Sequence, residues 1–363
     1  MPEPSRRPPA LPPAAVAAAA AAGGTPAAAD AASLASAGPR PGAADTPAQQ
    51  AWLAACTLDV AVRKAGNVSR ASAGHGMQAA QFVAAAAAAA PALLRAGATL
   101  GERIEGATRA SLAVAGCNTN LGIVLLGAPL AAAMQAVPVA ARAEAVAGAA
   151  AGAGAADAAE AAARALRAAV VCVLQASTRD DAVQAFRAIA AANPGGLGEA
   201  PAEDVRSAPT TTLREAMALA AQRDRIAEAW AGDFAPVFDL GLPAFRDGLR
   251  AAARTGAGPA AAARAATLCA YVELLAGGPD SHIVRKHGEA VAQSVMVAAQ
   301  GHREALRGGR LHEATPAWVA WDEALKRLGV NPGTSADLVV ATAFAGLWCE
   351  QCAGAAPLAA ASL

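Results

Sequence analysis

Apolar positions along this chain recur at helical spacing, and short polar clusters punctuate them. The pattern predicts a first helix over 50–63, a loop over 64–77 and a second helix from Gln78, with Pro91 near a helix boundary. A helix follows over 101–115. A polar loop from Gly116 to Asn120 then runs straight into an apolar helix that begins at Leu121. Residues 139–176 are almost pure alanine with sparse charges and read as one or two helices broken near 148–154. Asn193 to Gly198 reads as a turn. Pro209-Thr210-Thr211-Thr212 opens a helix that runs to about Ala231, and Pro259 starts another that reaches Ala276. A polar loop over 279–288 precedes a helix to about Leu306, and the segment Asn331 to Asp337 opens the last helix, which ends near Cys352. No stretch alternates with the period of a strand, and no repeat of fixed period is visible.

Composition sharpens this into a fold class. Hydrophobic residues make up 55% of the chain but aromatics only 3%, so the core must come from closely packed helices rather than large side chains. Alanine is the strongest helix former and a poor strand former. The expectation is an all-α protein: a disordered Ala/Pro-rich tail over 1–46, one large multi-helix domain over 47–354 and a C-terminal tail over 355–363. Twenty-nine basic residues balance 29 acidic ones, which gives no electrostatic case for a nucleic acid or an anionic membrane as partner. The alanine runs are too weakly apolar for a transmembrane span, and the prolines at 8, 9, 12 and 13 argue against a signal peptide. The six cysteines are scattered. Cys349 and Cys352 match C-x-x-C but lie in an apolar helical run, so they read as buried thiols rather than a metal or redox pair. That usage fits a reducing cytoplasm.

Four polar loops, each beside a helix, hold the chemistry. The first carries Lys64, Gly66, Asn67, Ser69, Arg70 and His75; the second Asn118, Thr119 and Asn120; the third Asp280, Ser281, His282, Arg285 and Lys286; the fourth Gly333, Thr334, Ser335 and Asp337. In the second loop, Gly116 and Gly122 allow close backbone approach, and the first turn of the helix presents unpaired N–H groups to an anion. Backbone donors, cations, hydroxyls and carboxylates together suit a polyphosphate with a divalent metal. Bland readings stand beside this one. Thr334-x-x-Asp337 resembles a capping box, Thr212-x-x-Glu215 is a proper one, and basic loop residues are solvated by default. His282 and His287 are five apart and do not share a helical face as metal ligands; His302 and His312 read as surface residues. Asp224 stands out. On a continuous helix from Leu213, at about 100° per residue, it falls on the apolar stripe with Met217 and Ala220, where an acid needs a cation or a metal.

The motifs occur in a recognisable order: Lys64-x-Gly66-Asn67; Asn118-Thr119-x-x-Gly122; Pro209-Thr-Thr-Thr-Leu-Arg-Glu-Ala-Met217 with Arg223-Asp224; Asp280-Ser281-x-Ile283-x-Arg285-Lys286-x-Gly288; and Pro332-Gly-x-Ser335-Ala-Asp337-Leu338. Over about residues 50–350 this resembles the triphosphoribosyl-dephospho-CoA synthase family. The resemblance implies an all-helical enzyme that joins ATP to 3′-dephospho-CoA with loss of adenine, making a prosthetic-group precursor. Its substrates would be small molecules, with Mg²⁺ accompanying ATP; homo-oligomerisation is left open. The chain departs from the family's usual Asn-Thr-His-Lys-Gly at Asn118-Thr119-Asn120-Leu121-Gly122, and from Lys-Pro-Gly at Lys64-Ala65-Gly66. The Asn-Thr-Asn-Leu-Gly version is similar to a divergent branch associated with one-carbon cofactor pathways of methanopterin or methanofuran type, which offers a different acceptor as the alternative. A non-catalytic helical binding protein is the second alternative. Displacing adenine builds positive charge at the ribose C1′, which a carboxylate stabilises. On that basis Asp280, Asp337 and Asp224 are the candidate catalytic and metal-binding acids. Lys64, Arg285 and Lys286 are candidates for phosphate, and Gly66, Asn67, Asn118, Thr119, Asn120, Gly333 and Ser335 for ribose and phosphate contacts.

Overall fold

The computed structural model describes residues 46–137, 154–194 and 202–363; residues 1–45 of the predicted N-terminal tail, 139–153 of the alanine-rich run and 195–198 of the predicted turn lie outside them. The chain is all-α, as composition requires: 72% helical, with 14 α-helices and no strands among the described residues. In chain order they are α1 (Pro47–Ala61), α2 (Ala79–Leu93), α3 (Leu100–Ala115), α4 (Leu121–Ala136), α5 (Ala155–Gln175), α6 (Arg179–Ala192), α7 (Leu213–Ala220), α8 (Arg225–Ala231), α9 (Leu242–Arg254), α10 (Pro259–Ala276), α11 (Ser281–His287), α12 (Glu289–Arg307), α13 (Pro316–Arg327) and α14 (Gly333–Cys352). A single π-helical turn, Pro236–Gly241, runs into α9.

Helices α1, α4 and α14 are buried on nearly every face and form the centre. A helix that is apolar all round belongs in a core. Small side chains let these helices approach. Trp52 of α1 lies edge-on to Phe344 of α14 at 5.5 Å. The same ring lies where a side chain at Gly127 of α4 would be: a Cβ there would sit 2.7 Å from it. The surrounding helices pack on one another, among them α2 on α3, α9 on α10 and α10 on α12. Leu358 and Leu363 of the final segment pack back against the core. Cys349 and Cys352 are buried, in line with the thiol reading.

Local sequence explains most helix starts. Thr46 caps α1 with Pro47 at its first position, and Thr99–Glu102, Thr178–Asp181 and Thr212–Glu215 form reciprocal capping boxes. Pro91 lies two residues before the end of α2, near a boundary as expected. Three expectations are corrected. The helix expected from Leu213 to about Ala231 breaks over 221–224 into α7 and α8, because the Asp224 carboxylate caps a new helix by accepting from Ile226 N and Ala227 N at 2.8 and 3.2 Å. Asp224 is therefore a capping residue, not a member of an apolar stripe. Residues 281–287 are helix α11, not loop, since Asp280 caps them in the same way. His302 is half-buried against Trp318 and Trp321.

Candidate functional site

Five chain segments meet around the N-terminal ends of α4, α8, α11 and α14. The 62–67 loop is fixed first. Lys64 is 0% exposed; its Nζ donates to Asp59 Oδ1 of α1 at 2.7 Å and to Asn67 Oδ1, and it lies over the Tyr271 ring. Tyr271 OH donates to Ala65 O at 2.6 Å. Gly66 N donates to the buried Asp322 Oδ1 at 2.9 Å, and Asn67 Nδ2 donates to Asn331 Oδ1 at 2.9 Å. Gly66 has φ +80, and a Cβ there would lie 2.8 Å from Pro332 Cδ, so both conformation and space demand glycine.

Asp280 ties two helix starts together. It is 1% exposed; Oδ1 accepts from His282 N and Ile283 N, and Oδ2 accepts from Ser335 N at 2.7 Å. Burial pushes its carboxyl up, against the pull of the Ser335 hydrogen bonds and Arg225. Buried Arg225 reaches Leu274 O at 3.0 Å and Ser335 Oγ at 3.4 Å, and Ser281 Oγ donates to Thr334 Oγ1 at 3.0 Å. Thr334 is thus engaged with α11 and is not the cap of α14, whose N-cap is Pro332 with no side-chain hydrogen bond. The capping-box reading of Thr334 and Asp337 does not hold. At the start of α8, Arg285 Nη1 donates to Asp224 Oδ2 at 2.5 Å.

Helix α4 is left open at its start. Asn118 Oδ1 accepts from Leu121 N at 3.2 Å, but Asn120, in the N-cap position, makes no capping bond. Thr119 Oγ1 and Asn120 Nδ2 are buried without a partner, as are His282 Nε2 and Arg285 Nε. Orphaned buried donors call for an explanation, and a ligand that completes them is one. Burial lowers the His282 imidazole to about 4, with Lys286 and Arg285 adding to the shift, so the ring is neutral near pH 7.

Asp337 faces this opening. A Cβ on Gly122 would sit 2.1 Å from Asp337 Oδ2 and 2.7 Å from Ile226 Cδ1, so the carboxylate lies against the first turn of α4 and only glycine leaves it room. No hydrogen bond or ion pair to another described side chain reaches it. Desolvation, then Asp59, Asp280 and Asp224, push its carboxyl well above the usual carboxylate range; Lys64 opposes them. The charge balance is therefore uneven. Asp59 is held by Lys64, Asp224 by Arg285, and Asp280 is linked to Arg225 through Ser335, whereas Asp337 has no cation among the described residues.

The structure thus brings together the residues expected to act at one site but divides their roles. Lys64, Asn67, Asp280 and Ser335 are buried and bonded within the protein, while Gly66 and Gly333 supply room: a Cβ at 333 would lie 3.3 Å from the His282 ring. Asn118, Thr119 and Asn120 stand at the start of α4, Asp337 lies against its first turn, Arg285 pairs with Asp224 at the start of α8, and Lys286 is exposed on α11. The three-carboxylate metal cage is not formed: among the described residues no group of three His, Cys, Asp or Glu could hold a metal ion. Both oxygens of Asp280 and both of Asp224 are already engaged. Asp59, Arg225, Tyr271 and Asp322 escaped the sequence analysis. Asp59 alone carried a signal, an acid set within an otherwise apolar helix.

No curated protein matches the chain. A solved structure described as a triphosphoribosyl-dephospho-CoA synthase from Archaeoglobus fulgidus is similar at 22% identity, covering 73% of this chain and 98% of that one with a TM-score of 0.49. Every segment of the site falls within residues 45–353, which match the family CitG, ATP:dephospho-CoA triphosphoribosyl transferase, and the chain is a member of that family of transferases.

Proposed function

We propose that the protein transfers the triphosphoribosyl group of ATP to the ribose 2′-hydroxyl of 3′-dephospho-CoA. The new bond joins that oxygen to C1′ of ATP; the bond from C1′ to adenine N9 breaks, and its electron pair leaves with adenine. The proton lost from the hydroxyl balances the one gained by adenine. The observation that carries this reading is Asp337, a carboxylate without a cation set against an open helix start. Ionised, it stabilises positive charge growing at C1′. The open N–H groups of α4, with Thr119, Asn120 and Arg285, suit the triphosphate. Lys64, Asn67, Asp280, Arg225 and Ser335 hold the helix starts in place rather than touch substrate.

Magnesium fits this donor set only as a companion of ATP. The ion needs one or two protein carboxylates when phosphates supply the rest, and Asp337 is the acid whose oxygens are not spent. Bound there, it would neutralise phosphate charge. The second reading, transfer to a one-carbon-type acceptor, draws on Leu121 and Asn120, which are buried and uncharged where the family usually has Lys and His. Six free cysteines support a reducing, cytoplasmic setting.

The test is adenine release. The protein is incubated with ATP and Mg²⁺, with and without 3′-dephospho-CoA, and free adenine and the product mass are measured. Adenine that appears only with dephospho-CoA is expected. Binding of Mg-ATP without adenine would turn the reading to another acceptor, and no binding would leave the helical binding protein.

A further inference from the structure

Helices α12 and α13 leave an apolar groove of about 430 Å³ between them, within the size range of small-molecule sites. Val291, Ser294 and Ala298 of α12 line it with Trp321 and Leu325 of α13 and Leu328 just beyond that helix. Leu328 is 72% exposed, an unusual position for a large apolar side chain beside other apolar groups. Two observations connect this groove to the site. Leu325 and Val330, both in its lining, also form the wall against which Gly66 packs: a Cβ at 66 would lie 3.1 Å from Leu325 Cδ1 and 3.0 Å from Val330 O. The second lies at the end of α11, where His287 Nε2 is 3.1 Å from Gly329 O, between the lining residues Leu328 and Val330. Only Gly288 and Glu289 separate His287 from Ala290, which also lines the groove. Lys286 and His287, at the end of α11, therefore stand beside an apolar trough that shares a wall with the 62–67 loop, while Arg285 turns to Asp224.

That juxtaposition suits a ligand in which a diphosphate is joined to a long uncharged arm. Cations at a groove end hold phosphate oxygens, while aliphatic and amide segments gain from leaving water along an apolar surface. Ser294 offers one hydroxyl among otherwise apolar lining residues, enough to orient an amide. We propose that the α12–α13 groove binds the uncharged, pantetheine-like arm of the acceptor, with the basic end of α11 holding its diphosphate. The assignment rests on the acceptor being dephospho-CoA or a nucleotide of the same build. It makes the groove a determinant of acceptor choice and leaves ATP untouched.

The experiment compares 3′-dephospho-CoA with ADP, which keeps the ribose and diphosphate but lacks the arm. Ser294→Trp fills the groove from an exposed position, and Leu328→Glu places a charge at its edge. For the unaltered protein the KM of dephospho-CoA is expected to lie at least tenfold below that of ADP. Either substitution should raise it toward the ADP value and leave the KM of ATP unchanged. Equal KM values for the two acceptors, or a preference that survives both substitutions, would overturn the proposal. If the protein releases no adenine with either acceptor, the reaction reading fails separately, and calorimetry on the same pair decides the groove: tighter binding of dephospho-CoA that is lost in Ser294→Trp sustains it, and no difference removes it. Sedimentation supplies the rival occupant. A dimer that Ser294→Trp dissociates while the acceptor preference persists would make the groove a contact between copies of the chain.

Discussion

Asp337 and Asp280 are both aspartates at the start of a helix, yet the fold gives them opposite tasks. Asp280 accepts three backbone hydrogen bonds and holds α11 to α14. Asp337 accepts none from outside its own helix and carries a carboxyl raised well above its ordinary range. A carboxyl raised in the folded state binds its proton more tightly there than when unfolded. Stability is therefore full below the ordinary carboxylate range and falls as pH rises through the folded-state value. Function runs the other way if the ionised form stabilises charge at C1′. Asp337→Asn should lower kcat/KM by about 10²–10³-fold and should raise Tm at pH 8, with no difference near pH 3. Paired rate and melting measurements check both. A variant that lost activity and also melted lower at pH 8 would make Asp337 a structural acid.

At the scale of elements, Lys64 joins α1 to the loop that follows it. A lysine in a polar loop reads as a phosphate ligand from sequence, but here the ammonium is sealed between Asp59, Asn67 and the Tyr271 ring. Removing one member of a buried ion pair leaves the other uncompensated, at a cost of about 3–5 kcal/mol. Lys64→Met should therefore lose about that much stability in urea unfolding, and Asp59→Asn combined with it should recover most of the loss. The KM for ATP should stay near its original value in the double variant; a large rise would return Lys64 to the phosphate. The same scale shows what sequence could reveal. The apolar runs of α1, α4 and α14 and the Thr212–Glu215 box were legible because each depends on residues within one or two turns. The break between α7 and α8 was not, since Ala220, Ala221, Gln222 and Arg223 all favour helix and only the capping preference of Asp224 competes. Pairings such as Asp280 with Ser335, or Gly66 with Asp322, join residues 55 and 256 apart, and no local pattern encodes them.

Across the whole molecule, the residues around the opening come from positions 118 to 337, and the supports behind them reach back to Asp59. The starts of α8, α11 and α14 are tied across segments, by Asp224 with Arg285 and by Asp280 with Ser335, and the Asp337 carboxylate lies against the first turn of α4. A ligand at this junction therefore contacts elements whose relative placement exists only in the folded state. Binding of that kind stabilises by mass action, about 2.7 kcal/mol at a hundredfold excess over Kd. For a domain of this size that corresponds to a rise in Tm of about 5 °C. Mg-ATP should produce such a shift in a single cooperative transition. Asp337→Asn should reduce the contribution of Mg²⁺ relative to ATP alone, because it removes the carboxylate left for the ion. A shift by ATP that is independent of both Mg²⁺ and Asp337 would place the triphosphate on the basic face of α11 and away from α4. The orphaned Thr119 and Asn120 groups would then need another ligand.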